Sequence, residues 1–222
     1  MKNNILVVAA HPDDETLGAG GTLLKHVQEG DDVSLFILSD GETSRPTANV
    51  PARQEQARRV VAAMGAKELI LENFPDQRFD TVSLLDIIQK VEKQVYTLKP
   101  NIVYTHCPYD LNLDHRLTFQ AVLTALRPSP ELSVKKFSTF ETLSSTEWQR
   151  KDQANSFCPT EYVDISEFIE KKIEILKIYR NEIRKFPHPR SAEGIRILAQ
   201  YRGIESSFLY AEAFQIIRLL NP

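Results

Sequence analysis

The sequence predicts an α/β fold with a doubly wound, mostly parallel sheet. Two observations predict it. Short aliphatic runs alternate with amphipathic stretches of about 10–15 residues along the first half of the chain, and each amphipathic stretch stops at or near a Gly or a Pro. Strands and helices that alternate in this way form right-handed βαβ units, which place parallel strands side by side with helices on both faces.

The first strand is predicted over Asn4–Ala10, because this aliphatic run is almost unbroken and fits a strand that is covered on both faces. Similar runs predict three further strands in the first half, at Asp32–Ser39, Glu68–Glu72 and Asn101–Thr105. Helical spacing and stop signals predict four helices there, at Gly21–Glu29, Pro51–Met64, Ser83–Leu98 and Arg116–Leu126.

The second half of the chain is less regular. It predicts two strands, at Lys135–Glu141 and Glu161–Ile165, and two helices, at Ser166–Tyr179 and Ser191–Tyr201. The sequence contains no linker, low-complexity stretch or internal repeat that would separate two units. We therefore expect residues 1–222 to form a single domain.

The composition excludes several classes of protein. The chain has 222 residues, with 27 Lys+Arg against 30 Asp+Glu and a net charge of −3, so it lacks a basic footprint for nucleic acid. No apolar run approaches the roughly 20 residues of a membrane span, and the first aliphatic run leads into acidic residues rather than a signal-peptide cleavage region. Only Cys107 and Cys158 are present, which predicts a protein of the reducing cytoplasm.

A cluster of ionisable residues directly follows the first strand: His11, Asp13, Asp14 and Glu15. Ligands of open α/β sheets bind at the carboxyl ends of strands, so chemistry is expected here. The carboxylates repel one another, and the start of the next helix offsets this only in part, whereas a divalent cation would offset it far more. His11 and Asp14 can converge on one metal ion while Asp13 points elsewhere; the alternative is a solvated acidic turn that caps the helix.

The glycines after this cluster permit a different interpretation. Gly18, Gly20 and Gly21 resemble a dinucleotide-binding fingerprint, with Asp40 about twenty residues further on as the ribose-binding acid. The spacing argues against it, because the first glycine of that fingerprint lies in the tight turn at the strand end, and here the segment His11–Leu17 intervenes. The glycines are better explained by close packing of the helix on the sheet.

A second His/Asp-rich loop follows the fourth strand. If strands one and four are neighbours, His115 in this loop meets His11 and Asp14, giving two nitrogens and one carboxylate. Such a set is typical of catalytic zinc with an open position for water. Asp114 is suited to orient a ligand imidazole or a nearby cation.

Two other residues of this loop have alternative interpretations. His106 could be a ligand, a group that supports the ligands, or a core histidine, and the last two are favoured. Cys107 lacks a second cysteine at metal-binding spacing, so we expect it to be a buried structural residue.

These motifs resemble the PIG-L/LmbE-like N-deacetylases. The segment Ala10–Glu15 resembles the first signature of that family, and Asn112–Arg116 resembles its second motif, commonly written H-x-D-H. Weaker similarities lie at Gly20–Gly21, Arg53, Glu55, Pro75–Asp76, His188–Ser191, Arg202–Gly203 and Ala211–Phe214. The resemblance therefore spans nearly the whole chain.

The resemblance implies a Rossmann-like three-layer fold and removal of an acyl group, usually acetyl, from an amino sugar. It implies Zn²⁺, or another divalent ion such as Fe²⁺, held by His11, Asp14 and His115, with Asp13 as the general base. It also implies three substrate-binding side chains, Arg53, Asp76 and Arg190, although composition alone suggests surface charges for the two arginines. Residues 135–222 would complete the substrate pocket, and members of the family often form homo-oligomers.

One departure from the family pattern affects the catalytic set. The first histidine of H-x-D-H, which is credited with protonation or oxyanion stabilisation, is Asn112 here, and an amide can donate a hydrogen bond but cannot deliver a proton. We hypothesise that His188 supplies the missing imidazole; the alternative is an exposed loop histidine. Trp148 and Tyr109 could stack on a sugar ring or be core or interface residues.

Three functions remain open from the sequence. The first is a zinc-dependent N-deacetylase acting on an amino sugar or its conjugate. The second is hydrolysis of a non-sugar N-acyl amide by the same zinc site. The third is a non-catalytic protein that binds a metal ion or carbohydrate, which Asn112 makes conceivable.

Overall fold

The computed structural model describes residues 2–152 and 155–221. Seven strands form one sheet: β1 (Asn4–Ala9), β2 (Asp32–Ser39), β3 (Glu68–Phe74), β4 (Ile102–His106), β5 (Lys136–Phe140), β6 (Glu161–Asp164) and β7 (Ala211–Leu219). Six α-helices pack on it: α1 (Asp14–Gln28), α2 (Val50–Met64), α3 (Leu84–Leu98), α4 (Leu113–Ala125), α5 (Ile169–Leu176) and α6 (Ala192–Ser206). None of the helices in the described ranges is long and apolar enough to cross a bilayer.

The strands lie in the order β3-β2-β1-β4-β5-β7-β6. The first five strands in this order are parallel to one another, and β7 is antiparallel to both of its neighbours, β5 and β6. Strand β1 pairs with β2 on one side and with β4 on the other, so the chain winds in opposite directions from β1. The expected neighbours, strands one and four, are therefore confirmed, and their carboxyl ends form the switch point of the sheet.

Each face of the sheet carries a separate apolar core. On β1, Ile5 and Val7 belong to the core that includes residues of α1, α2, α5 and α6, whereas Leu6 and Val8 belong to the core that includes residues of α3 and α4. Full burial of such aliphatic side chains stabilises the fold by about 1.5–3 kcal/mol each. The result is the three-layer, doubly wound architecture that the alternating pattern predicted.

Helix α1 begins at Asp14, seven residues before the predicted start at Gly21. The prediction was wrong because glycines lower helix propensity, and here tertiary packing overrides that penalty. A Cβ atom at Gly18 would overlap the ring of Phe140, and one at Gly21 would lie 2.8 Å from Cβ of Ile165. The interpretation of the glycines as sites of close helix–sheet packing is confirmed.

Strand β7 was not predicted, because an antiparallel strand inserted between β5 and β6 leaves no βαβ alternation in the sequence. Helix boundaries in the second half also differ. The predicted helix Ser166–Tyr179 is shorter, since the Asp164 side chain accepts a hydrogen bond from the Ser166 amide and holds that turn outside α5. Helix α6, in contrast, continues five residues beyond Tyr201.

Helix α4 begins three residues before its predicted start at Arg116. The side chain of Asn112 caps it, with Oδ1 accepting a hydrogen bond from the Asp114 amide at 2.8 Å. This cap places Asp114 and His115 in the first helical turn, at the switch point of the sheet.

Candidate metal centre and active-site cleft

Three side chains meet at the carboxyl ends of β1 and β4. His11 follows β1, Asp14 is the first residue of α1, and His115 lies in the first turn of α4. All three are buried. Because β1 and β4 are paired, the loops that carry these side chains meet at the switch point of the sheet, where ligands of open α/β sheets bind, and we refer to this region as the cleft.

The geometry of these three side chains fits a tetrahedral metal ion. Nδ1 of His11 lies 3.1 Å from Oδ2 of Asp14 and 3.3 Å from Nε2 of His115, and the last two atoms are 3.2 Å apart. Three donors at zinc-ligand distances in a tetrahedron would be about 3.3 Å from one another. Oδ1 of Asp14 is also buried without a hydrogen-bond partner among the described residues. The chain therefore has a His/Asp group able to bind a metal ion.

Two further carboxylates support the two histidines. Nε2 of His11 lies 3.0 Å from Oδ2 of Asp114, whose other oxygen accepts a hydrogen bond from the Phe79 amide. Nδ1 of His115 lies 3.1 Å from Oδ1 of Asp110, which is fully buried. Carboxylates in such positions orient ligand imidazoles and increase their basicity. Asp110 was not predicted from the sequence, although it lies in the same His/Asp-rich loop.

The electrostatic field of the site favours a cation. Burial opposes protonation of His11, but hydrogen bonds to Asp114 and Asp14 raise its pKa to about 10. Burial likewise opposes protonation of His115, but Asp14 and Asp110 raise its pKa to about 9. Burial works against ionisation of Asp14, yet the charge of His115 and hydrogen bonds from His11 and His115 hold its pKa well below the usual range. The carboxylates that stabilise these protons would also stabilise a divalent ion.

His106 lies next to this group, and protein atoms engage both of its nitrogens. Nε2 accepts a hydrogen bond from the Ala10 amide at 2.9 Å, and Nδ1 lies 3.3 Å from Oγ1 of Thr142. Its ring stacks on His115, with centroids 3.9 Å apart. Burial and the neighbouring His115 lower the pKa of His106 to about 3. His106 is thus a neutral group that packs against a candidate ligand.

Asp13 occupies a position distinct from that of Asp14. Its Oδ2 accepts a hydrogen bond from Nη1 of Arg190 at 2.8 Å and lies 3.8 Å from Nη2 of Arg53. Burial raises the pKa of Asp13 to about 7, although Arg190 opposes the shift. The backbone φ of Asp13 is 125°, a strained value, and its amide donates to the Glu15 carboxylate at 3.0 Å.

The other predicted substrate-binding residues lie at the same cleft. Arg53 is buried rather than on the surface, and Nη2 donates to the Pro12 carbonyl at 2.5 Å. Asp76 is buried too, with Oδ1 3.4 Å from Nε2 of His11. Arg190 reaches the cleft from the loop before α6 and also donates from Nε to Ser144.

Asn112 reaches the edge of the cleft through Gln77. Nδ2 of Asn112 donates to Oε1 of Gln77 at 3.2 Å, and Nε2 of Gln77 lies 3.3 Å from Nε2 of His11. Gln77 was not predicted from the sequence, because an isolated glutamine in a loop carries no signal of its own.

His188 lies in the same loop as Arg190. Its Nδ1 accepts a hydrogen bond from the Arg190 amide at 3.1 Å, and its ring packs edge-on against Trp148, which is 53% exposed. Among the described residues, no hydrogen bond, ion pair or ring contact joins His188 to the three candidate ligands. Tyr109 is half-buried, and Cys107 is fully buried as expected.

The fold and the site together define an α/β protein with a candidate metal centre at the switch point of its sheet. A model of the family described as PIG-L, GlcNAc-PI de-N-acetylase, matches residues 6–126. The chain belongs to this family, and the resemblance found in its motifs is confirmed.

Two curated relatives are amino-sugar N-deacetylases. The probable N-acetyl-alpha-D-glucosaminyl L-malate deacetylase 2 of Bacillus anthracis is 27% identical, over 82% of this chain and 83% of that protein. The diacetylchitobiose deacetylase of Thermococcus kodakarensis is 26% identical, over 96% of this chain and 82% of that protein.

A solved structure with the same fold carries a different reaction. The 4-carboxy-2-hydroxymuconate hydratase of Pseudomonas putida superposes with a TM-score of 0.76, covering 100% of this chain and 99% of the other at 20% identity. At that identity the likeness shows the fold alone, so the reaction must be argued from the site.

Proposed function

We propose that this chain is a zinc-dependent hydrolase that removes the N-acetyl group from an amino sugar or an amino-sugar conjugate. The observation that carries the proposal is the His11, Asp14 and His115 group, with ligand atoms 3.1–3.3 Å apart, beside the separately held carboxylate of Asp13. The amino-sugar deacetylases among the relatives support the choice of substrate class.

His11, Asp14 and His115 would hold the ion and leave one position open. The chemistry that zinc supplies when bound is Lewis acidity, which activates water near neutral pH and polarises an amide carbonyl. The donor set of two imidazoles and one carboxylate favours zinc over Mg²⁺ or Ca²⁺, which prefer oxygen ligands.

Asp13 is the proposed general base. Its carboxylate would accept a proton from the attacking water and return that proton to the nitrogen of the leaving amine, so the products are acetate and a free amine. A base with a pKa near the working pH contributes about 10²–10⁴-fold to such a reaction. Arg190 and the strained backbone hold the Asp13 carboxylate in one orientation, separate from that of Asp14.

The oxyanion of the tetrahedral intermediate needs a hydrogen-bond donor in addition to the cation. Asn112 and His188 are the proposed donors, each worth roughly 10²–10³ in rate. Asn112 donates a hydrogen bond to Gln77, which contacts His11 at the cleft, and His188 lies two residues from Arg190 in the sequence. Arg53, Asp76 and Arg190 are proposed to hold substrate hydroxyls or an anionic substituent.

Three finer expectations accompany the proposal. A cytoplasmic location is supported by two free cysteines, Cys107 and Cys158. A substrate other than nucleic acid is supported by the net charge of −3. Homo-oligomers are known in the family and are a further expectation for this chain.

The test combines metal analysis of purified protein with an acetate-release screen. We expect about one zinc ion per chain and acetate release from N-acetylhexosamines or their conjugates, lost with a chelator and restored by zinc. His115→Ala should lose both metal and activity. His26→Ala is the control: with Glu29 and Asp31, His26 forms a separate group able to hold a metal ion at the distant end of α1, so this variant should keep both the activity and the zinc bound through His115.

Other outcomes would overturn the proposal in distinct ways. Release of acyl groups from non-sugar amides alone would assign the site to the second class of substrate. Tight zinc binding with no release from any amide would indicate a non-catalytic metal-binding or carbohydrate-binding protein.

A further inference from the structure

One buried carboxylate near the cleft has no role in the proposed mechanism. Glu182 lies between α5 and α6, outside the segment that the family model matches, and is 4% exposed. Three guanidinium groups converge on it. Oε1 lies 2.6 Å from Nη2 of Arg45 and 3.1 Å from Nη2 of Arg53, and Oε2 lies 3.2 Å from Nη1 of Arg190.

Two of these nitrogens also face Asp13. The same Nη1 of Arg190 lies 2.8 Å from Oδ2 of Asp13, and the same Nη2 of Arg53 lies 3.8 Å from that oxygen. Glu182 and Asp13 therefore share two guanidinium nitrogens. A shift of either nitrogen relative to Glu182 changes its distance to Asp13.

The charges explain why this arrangement needs Glu182. Arg53 is buried and Arg190 is largely buried, so their like charges repel one another in a region poor in water. The carboxylate of Glu182 between them offsets that repulsion. Arg190 already donates to Asp13 at 2.8 Å. Without Glu182, Arg53, which now lies 3.8 Å from Asp13, would be drawn towards the same carboxylate, and Arg190 would lose its second anionic partner.

We infer that Glu182 is a positioning residue, which holds the guanidinium groups of Arg53 and Arg190 at fixed places around Asp13. The expected effect of Glu182 on kcat rests on the proposed function. Its expected effect on the positions of the two arginines rests on geometry alone. Glu182 itself touches none of the three candidate metal ligands, so it acts through the arginines.

Glu182→Gln is the first variant to test, because glutamine keeps the shape and loses the charge. We expect kcat for acetate release to fall about 10–100-fold with zinc content unchanged. Glu182→Asp, which keeps the charge, should lie closer to wild type. Glu141→Gln is the matched control: Glu141 makes a two-bond ion pair with Arg202, at 2.7 and 2.8 Å, away from Asp13. Its kcat should stay within about twofold of wild type.

A double-mutant cycle distinguishes positioning from a general structural role. If Glu182 acts through Asp13, Glu182→Gln should change kcat less than about twofold when Asp13 is already Asn. If the double variant instead loses kcat by the product of the two single-variant factors, Glu182 acts independently of Asp13 and the inference is overturned. A loss of kcat that merely tracks zinc loss would do the same.

Crystal structures of the wild type and Glu182→Gln provide a readout that needs no activity. We expect the guanidinium of Arg190 or Arg53 to move by about 1 Å or more relative to Asp13, a displacement of the size that disturbs catalytic geometry. Guanidinium groups that stay in place would overturn the inference. If the wild type releases no acetate, the proposed function fails, and the two structures still decide whether Glu182 positions the arginines.

Discussion

Replacing Asp110 by asparagine tests whether His115 is a metal ligand whose basicity is set by a carboxylate behind it. Oδ1 of Asp110 lies 3.1 Å from Nδ1 of His115 and accepts a hydrogen bond from the Asn112 amide at 2.9 Å, while Oδ2 accepts one from Oγ1 of Thr146 at 2.6 Å. An asparagine oxygen can remain in the Oδ1 position, and its NH₂ group can face the Thr146 hydroxyl. The substitution therefore removes charge with little change in shape.

The magnitude follows from the role of such carboxylates. Burial opposes ionisation of Asp110, yet its interactions with His115, Ser145 and Thr146 lower its pKa to about 2, so the native group carries a full negative charge. Loss of a carboxylate behind a ligand histidine weakens metal affinity by about 10–100-fold. That change corresponds to about 1.4–2.8 kcal/mol of binding free energy.

The assay is competition for zinc between the protein and a chromophoric chelator at fixed pH. Asp164→Asn is the control, because Asp164 accepts hydrogen bonds from Ser166 at the end of β6 and belongs to none of the groups of described residues able to hold a metal ion. We expect the zinc dissociation constant to rise for Asp110→Asn and to stay unchanged for Asp164→Asn. Equal affinities for wild type and Asp110→Asn, with the fold intact, would refute the reasoning that His115 binds the metal with support from Asp110.

Three further predictions address the base, the predicted imidazole and the packing of α1. Asp13→Asn should lose at least about a hundredfold in kcat and keep its zinc, whereas Asp14→Asn should lose its zinc. Metal analysis and steady-state kinetics check both variants. Zinc loss from Asp13→Asn would show that the roles of Asp13 and Asp14 are reversed. His188→Gln should lower kcat and remove the alkaline limb of the kcat–pH profile, because the protonated imidazole is the form that donates; an unchanged rate and limb would exclude His188 from catalysis. Gly18→Ala should cost about 1–3 kcal/mol of unfolding free energy, because its Cβ would overlap the ring of Phe140. In thermal unfolding, Gly20→Ala should cost less, since its Cβ would come no closer than 3.2 Å to Lys172 Cγ and Thr16 Cγ2, and equal losses would contradict the packing argument.

The sequence predicts the parallel half of the fold well because each of its elements carries a local signal. Strand β2 matches its predicted bounds, Asp32–Ser39, and the pairing of β1 with β4 follows from the usual strand orders of such sheets. Strand β7 carries no comparable signal, because what defines it is its insertion between β5 and β6, which is a property of tertiary structure.

The candidate site shows the same division. His11, Asp14 and His115 follow predicted strands within motifs, so their convergence could be anticipated from sequence. The role of Glu182 could not be anticipated, because it belongs to no motif and one of its partners, Arg45, is 137 residues away in the sequence. Long-range ion pairs between loops depend on how the chain packs, and a single sequence does not encode them in any local pattern.

Both parts of the chain contribute to the surroundings of Asp13. The three candidate ligands, Asp13 and Arg53 lie within residues 6–126, the segment that the family model matches, whereas Arg190 and Glu182 lie beyond it. Nη2 of Arg53 lies 3.8 Å from the Asp13 carboxylate and Nη1 of Arg190 donates to it at 2.8 Å, and Glu182 contacts both nitrogens. A substitution at position 182 or 190 can therefore alter the surroundings of the proposed base while the residues of the candidate metal centre stay the same.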